Sequence, residues 1–317
     1  AKFVVQRIRD LIEEGTDPSE IAVLYRAHFH SMELQMELTR GEIPFRITSG
    51  IRFFEQAHIK DVVAFMRFVV NPRDELSFRR MVMLLPGIGP GMAQKLRIRW
   101  TACPESRQET PPESFSALML DFPVPVKSRT AWTQLCYTLD ELAPAGKLAG
   151  PASMLLSINE AVYDEYMQAA FENYDQRRQD LLHLAGFSER FESTEDFLSQ
   201  LSLLGNTDDE SAAADFSGGS VTLSTIHQAK GLEWSVVFLI GLCDGMFPHQ
   251  RVIDDGDLAG LEEERRLFYV GITRAKDQLY LTYPRWNCRA QGGTFMQMPS
   301  RFLDEFPAGL VEEWEVE

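Results

Sequence analysis

The sequence predicts an α/β protein in which a parallel-sheet domain is interrupted by a mostly α-helical insert. Three observations carry that expectation. Short apolar runs suited to buried strands alternate with helical patterns over residues 1–56. The same mixture returns after about residue 220. Between them, apolar residues recur almost entirely at helical spacing.

In the first stretch Val4, Ile8, Leu11 and Ile12 share a helical face that ends at Gly15, and Ile21 to Tyr25 is the continuous apolar run of a strand covered on both faces. Ser31 stands where an N-cap opens a helix carrying Leu34 and Leu38, and Phe45-Arg46-Ile47-Thr48 follows as a second strand. From Ile59 the period lengthens. Ile59, Val62, Val63, Met66, Val69 and Val70 lie at helical spacing until Asn71-Pro72 stops them. Helical signals continue to about Leu204, broken by a loop rich in proline (Pro104, Pro111, Pro112, Pro123 and Pro125). Asn206 to Ser220 is acidic, small and glycine-bearing, which is linker chemistry. Strand patterns resume at Val221 and Leu223, in the apolar run Val236 to Ile240 and in the alternating Gln278 to Tyr283. The expected domains are therefore 1–56 joined to 220–317, with 57–219 inserted.

Composition bounds the function. Against 31 Lys and Arg stand 47 Asp and Glu, a formal net charge of −16, so any contact with nucleic acid must be a local patch. Cys103, Cys136, Cys243 and Cys288 stand far apart with no C-x-x-C pair, which points away from zinc and disulfides and toward a reducing, cytoplasmic home. No apolar run approaches the roughly 18 residues of a membrane span, so no membrane partner is expected. The sequence starts at Ala1 directly in a helical pattern, as a piece of something longer would.

Two segments hold chemistry. Thr225-Ile-His-Gln-Ala-Lys-Gly-Leu-Glu-Trp234 links one strand to the next, and parallel sheets bind ligands outside the carboxyl ends of their strands. Alone, it also suits an ordinary polar loop. Leu261-Glu-Glu-Glu-Arg-Arg-Leu-Phe-Tyr-Val-Gly-Ile-Thr-Arg-Ala-Lys276 puts Leu261, Phe268 and Ile272 on one helical face and its charges on the others. That pattern also suits a salt-bridged surface helix. What weakens the blander reading is the second cationic cluster, Arg274 and Lys276, arriving after Gly271 and just before a strand.

These segments resemble motifs V and VI of the UvrD/Rep/PcrA-type superfamily 1 DNA helicases. Further matches, in the family's order, are IAVLYRAH at 21–28, GIRFFEQAHIKD at 50–61, GMFPHQ at 245–250 and PSRFL at 299–303. The resemblance implies the second of two RecA-like motor domains, interrupted by a helical subdomain, with ATP held between the motors. Arg274 then matches the catalytic arginine that reaches the γ-phosphate, where a fixed guanidinium neutralises developing charge. Glu233 matches the glutamate that accepts hydrogen bonds from the nucleotide sugar, and Gly231 lets backbone approach the nucleotide. His227 and Lys230 lie where the family couples the ATP cleft to single-stranded DNA. Arg26 and His28 match single-strand contacts, with His28 standing where Asn is common. A second departure is Ala290-Gln291, where relatives often present an aromatic ring for base stacking; Trp286 is the ring nearby.

A separate feature is Leu85-Pro-Gly-Ile-Gly-Pro-Gly91 followed by Ala93-Gln94-Lys95-Leu96, which has the look of a helix-hairpin-helix. In that motif Gly87, Ile88 and Gly89 bring backbone close to a phosphate. A plain helical elbow is the other reading. Residues 79–100 carry Arg79, Arg80, Lys95, Arg97 and Arg99 and no acid, so Lys95, Arg97 and Arg99 are expected on duplex backbone.

Two pieces of an ATPase are missing. The pair Gly146-Lys147 is followed by Leu148 and has Glu141 in place of the first glycine of G-x-x-x-x-G-K-[ST], so there is no phosphate loop. No Asp-Glu pair ends a strand, and no metal site is expected. The expected cofactor is ATP with Mg²⁺, its Mg²⁺ ligands lying in the N-terminal motor domain of the same polypeptide. The implied function is the C-terminal portion of an ATP-dependent 3′–5′ DNA helicase, inactive by itself, with single-stranded DNA and a duplex junction as partners. The alternative is a non-catalytic DNA-binding or regulatory module derived from such a helicase, and a helicase-nuclease is a further option. A pure binding module has no use for Arg274 and Glu233, which favours the first.

Overall fold

The computed structural model describes residues 1–48, 53–205, 219–289, 293–307 and 309–314. The chain divides into two units, one of Ala1–Phe53, Asn206–Cys288 and Thr294–Glu317, the other of Phe54–Gly205 with Arg289–Gly293.

In the first unit β1 (Ile21–Tyr25), β2 (Phe45–Ile47), β3 (Val221–Thr225), β4 (Trp234–Leu239) and β5 (Ala275–Leu281) make one parallel sheet in the order β2-β3-β1-β4-β5. Every residue of β1 is buried because both faces are covered. Ile21, Val23 and Tyr25 pack with α1 (Lys2–Glu13) and α2 (Met32–Arg40) through Val4, Ile8, Leu34 and Leu38. Ala22 and Leu24 pack on the opposite side with Ile226, Leu239 and Phe268, the last on α13 (Leu258–Ile272). That helix lies close to the sheet: a Cβ at Gly271 would come within 3.2 Å of Leu239. The short α12 (Gln250–Asp254) precedes it. Ser31 occupies the N-cap position of α2, but its hydroxyl donates to the His28 carbonyl (2.7 Å) and accepts from Gln35 (2.8 Å) instead of capping the helix N–H groups. The reason is local, since a 3-10 turn over His28–Ser31 already winds the chain into the helix.

Over Phe54–Gly205 the regular elements of the second unit are helices: α3 (Ala57–Val70), α4 (Glu75–Val82), α5 (Pro90–Thr101), α6 (Phe115–Met119), α7 (Arg129–Leu142), α8 (Pro151–Ile158), α9 (Asp164–Ala170), α10 (Tyr174–Ser188) and α11 (Thr194–Gly205). Phe68 anchors its core, with Phe78, Trp100 and Phe115 all within 5.6 Å ring to ring. A buried polar network crosses it. Asp61 accepts from Arg80 (2.6 Å) and Tyr163 (2.7 Å), and burial beside that carboxylate drives the Tyr163 phenol far up, so it stays a donor. His58, fully buried, faces Asp180 at 3.2 Å.

Some elements differ from expectation. The helix α6 lies within the proline-rich stretch, opened by Ser114, whose hydroxyl accepts from Ala117 N–H. β4 begins at Trp234 and β5 at Ala275, each earlier than their apolar patterns, because backbone pairing carries the ladder past the buried residues. β6 (Trp286–Arg289) and β7 (Gly293–Met296) pair as a separate two-stranded sheet that periodicity does not reveal in such short pieces. Most of the expected linker, 206–218, lies outside the described residues.

Candidate nucleotide and nucleic-acid sites

β3 ends at Thr225 and the chain turns through Ile226 to Leu232 before β4 begins. Ile226 N–H donates to the Tyr25 carbonyl at 3.0 Å, and Gln228 and Ala229 both donate to the Thr225 carbonyl. Ile226 and Ala229 are buried beneath the turn, which leaves His227, Lys230, Gly231 and Glu233 on its exposed side. Gly231 has φ +86 and open space around it, so any Cβ there would strain the backbone without striking a neighbour. The Glu233 carboxylate has no side-chain partner among the described residues.

Arg274 joins this turn to the end of α13. Its Nε donates to the Val270 carbonyl (2.9 Å), one terminal nitrogen to the Leu232 carbonyl (3.0 Å) and the other to Thr273 Oγ1 (3.0 Å). Its own carbonyl accepts from Trp234 N–H at 3.0 Å. Gly231, Glu233 and Arg274, 43 positions apart at their extremes, therefore meet at the amino end of β4 beside that of β5, and not at the carboxyl end where the segment's position after β3 pointed.

Arg26, just past β1, is committed elsewhere than expected. Its guanidinium grips Glu264 of α13 as a fork, with contacts of 2.7, 3.0 and 3.1 Å. Glu264 is buried, so Arg26 balances its charge first, and a free single-strand contact is not what the side chain offers. His28 follows on the 3-10 turn, its ring edge-on to Tyr25 at 6.2 Å.

His227 and His249 border the Arg26–Glu264 pair. Desolvation first, then the Arg26 charge, holds each imidazole below its ordinary value of 6.5, while Glu264 opposes. Since the folded values are depressed, their contribution to stability is present above about 6.5 and is lost as pH falls through the folded values. Acidification from pH 7 to 5 should therefore lower the melting temperature, and His227→Gln with His249→Gln should flatten that dependence; an unchanged pH profile in the double variant would show that other groups govern it.

The GMFPHQ and PSRFL segments meet in packing. Phe302 is fully buried against Phe247 and Phe268, and Arg301 grips Asp244 at 2.8 Å, which pushes the guanidinium value up. Trp286 is 62% exposed. Ala290 and Gln291 lie outside the described residues.

The hairpin belongs to the helical unit and corrects several expectations. Ile88 is 4% exposed and its N–H donates to the Leu85 carbonyl, so it plugs the turn and has neither group free for a phosphate. Gly87 has φ +80, and a Cβ there would collide with the Lys127 side chain. Lys127 comes from a 3-10 turn over Val126–Ser128, pinned by Ser128 donating to the Pro86 carbonyl at 2.5 Å. Gly89 opens α5 with free space around it. Lys95 and Arg99 are exposed, as expected. Arg97 is not: buried, it donates to the Pro72 carbonyl (3.2 Å) and the Arg73 carbonyl (2.5 Å) and packs over Phe78. Arg80 is spent on Asp61. The exposed cations at the hairpin are thus Lys95, Arg99 and the unforeseen Lys127.

Glu264 and His249 were also missed. The signal for Glu264 is its position on the apolar stripe of α13, three after Leu261 and four before Phe268, where a solvated acid does not belong. Among the described residues no group of three or more His, Cys, Asp or Glu is placed to hold a metal, and no helix is long and apolar enough to cross a membrane.

Comparison with known proteins agrees with the motifs. The family of UvrD-like helicase C-terminal domains matches residues 1–119 and 162–285. DNA helicase II of Escherichia coli is 34% identical over 325 residues, covering 99% of this chain and 44% of that protein. The ATP-dependent DNA helicase PcrA of Bacillus subtilis is 33% identical, covering 98% and 43%, and a probable DNA helicase II homolog of Rickettsia conorii 32%, covering 97% and 46%. The chain spans less than half the length of these relatives. With both halves of the parallel-sheet unit and much of the helical unit matched, the chain belongs to the UvrD-like helicase C-terminal domain family.

Proposed function

We propose that this chain is the C-terminal part of an ATP-dependent DNA helicase that moves 3′ to 5′ along single strands, supplying one wall of the ATP site and part of the DNA track. The observation that carries the reading is the junction of Arg274 with the Gly231–Glu233 turn. A nucleotide there meets an exposed carboxylate suited to ribose hydroxyls, a backbone that approaches without a Cβ, and a guanidinium within reach of a terminal phosphate. On closure Arg274 exchanges its Leu232 and Val270 carbonyl acceptors for γ-phosphate oxygens, where its charge counts most as the P–O bond breaks. His227 and Lys230 share the turn with Gly231, so nucleotide-driven movement of the turn is felt at the strand. Lys95, Arg99 and the backbone at Gly87 and Gly89 hold the duplex ahead. ATP is bound with Mg²⁺, which neutralises phosphate charge; its ligands and the phosphate loop belong to an N-terminal motor domain of the same polypeptide, working in the cytoplasm.

The 317-residue chain alone should show no DNA-stimulated ATPase. The full-length protein should unwind duplexes bearing a 3′ single-stranded tail and leave 5′-tailed ones intact. Turnover by the chain alone that depends on Glu233 and Arg274, or unwinding restricted to 5′ tails, would overturn the reading.

A further inference from the structure

We infer that the helical unit carries a second phosphate site, a groove beside the C-terminal half of α5 that takes a backbone phosphate of duplex DNA. It rests on the duplex reading of the hairpin but, Arg97 apart, uses different residues. The groove, about 640 Å³, is lined by Arg73, Arg97, Thr101, Ser106 and Arg107. Three guanidinium groups converge there with no acid in the lining, while the Thr101 and Ser106 hydroxyls already donate to the Ile98 and Cys103 carbonyls.

The strongest indication is Arg97. It is 7% exposed, yet no carboxylate forms an ion pair with it among the described residues. Its two terminal nitrogens donate to the Pro72 and Arg73 carbonyls, and its buried Nε has no acceptor. Burial pulls its value down, while Asp74 and Glu75 act only from a distance. A cation stripped of water normally comes with a counter-ion, because neutral carbonyls repay only part of the lost hydration. Here the missing charge has an obvious place to sit, the open groove that Arg97 lines.

The rim is suited to supply the remaining contacts. Arg107 is exposed, and its guanidinium has no partner among the described residues. Arg73 donates from Nε to the Arg107 carbonyl (2.8 Å) and pairs with Glu109 at 3.2 Å, both side chains well exposed. Such exposed pairs are weak because water screens them, so Glu109 yields readily to a phosphate. Planar guanidinium forks match phosphate oxygens two at a time.

Why a duplex backbone rather than a small anion follows from α5. Gly89 opens this helix at the hairpin, and Arg97 and Thr101 lie eight and twelve residues further on. At about 1.5 Å per residue the groove stands roughly 12–18 Å from the hairpin, comparable to the ≈ 12 Å width of a B-DNA major groove. Lys95 and Arg99 lie about 200° around the helix from Arg97, so they serve the hairpin and not the groove. One rigid helix thus presents phosphate-binding groups at both ends, at a spacing that fits facing strands.

The test uses the 317-residue chain and a duplex without single-stranded tails, with affinity measured by fluorescence anisotropy across a salt series. Arg107→Ala should reduce the slope of log affinity against log salt by about 0.9, and Arg73→Ala with Arg107→Ala by up to roughly twice that. Melting temperature should hardly move, since both side chains lie at the rim. Lys95→Ala with Arg99→Ala is the parallel variant for the hairpin. If the hairpin variant weakens binding while the groove variants leave affinity and slope unchanged, the groove site is wrong and the hairpin reading stands. If neither has an effect, the duplex reading fails and the groove assignment with it. If inorganic phosphate or pyrophosphate saturates a site abolished by Arg107→Ala while the duplex slope is untouched, the groove serves a free phosphate compound and the duplex assignment is overturned.

Discussion

In the full-length protein, Arg274→Ala should lower DNA-stimulated ATP turnover by about 10³ while changing nucleotide affinity only a few-fold. The asymmetry follows from where the side chain rests. Without a phosphate each of its three nitrogens already donates one hydrogen bond, to Val270, Leu232 and Thr273, so moving to the nucleotide largely exchanges good hydrogen bonds for others and adds little net binding in the ground state. As charge redistributes over the γ-phosphoryl oxygens, the exchange becomes strongly favourable, and that increment is what alanine removes. Arg274 also braces the turn at Leu232, so Arg274→Lys and a melting curve belong with the measurement. Lysine keeps the charge but not the fork, and should recover part of the turnover at most. Near-normal turnover in a well-folded Arg274→Ala protein would make this residue a helix-end brace and nothing more.

Arg26→Ala should destabilise the parallel-sheet unit by about 3 kcal/mol, because it leaves the buried Glu264 carboxylate without its counter-charge. Glu264→Gln should cost less: Arg26 keeps partial access to solvent, and an amide oxygen still accepts one hydrogen bond. The double variant Arg26→Ala with Glu264→Leu should regain much of the loss, since a residue four before Phe268 on the apolar stripe can join the core. Denaturant unfolding measures all three. The double variant also separates structure from DNA contact: recovered stability with lost single-strand affinity would assign Arg26 both roles, whereas recovery of both would leave it purely structural. Arg26→Ala no less stable than Glu264→Gln would mean the pair is not the counter-charge described.

The parts legible in the sequence are those set by periodicity and by motif. The β1 run Ile21–Tyr25, the α3 stripe ending at Asn71 and the strands flanking Thr225–Trp234 follow from covered faces and helical spacing. The junction of Gly231, Glu233 and Arg274 was legible through family motifs, since nothing local says that residues 43 apart share a strand end. Charge was the poorest guide. Of the five cations between Arg79 and Arg99, Arg97 is held by two backbone carbonyls and Arg80 by Asp61, contacts made by chain 19 to 25 residues away. A local charge count has no access to these. Lys127 stayed invisible for the same reason, arriving beside Gly87 from 40 positions downstream.

The position of the helical unit has a kinetic side. It is inserted between β2 and β3, which are direct neighbours in the sheet, so Arg46 must find Thr222 across 176 residues. Closing a flexible loop of that length costs on the order of 4–5 kcal/mol of chain entropy before any strand contact repays it. The two ends of the insert, however, are already tied together: α3 packs against α11, with Arg67 donating to Ser202 at 3.2 Å. A helical unit that folds first shortens the wandering loop to the few tens of residues outside it, lowering the closure cost by about 2 kcal/mol. Its local contacts form faster than parallel pairing can. The insert thus brings the two halves of the sheet within reach of each other, and a lesion in the Phe68–Trp100–Phe115 cluster would be felt as slow assembly of strands that belong to the other unit.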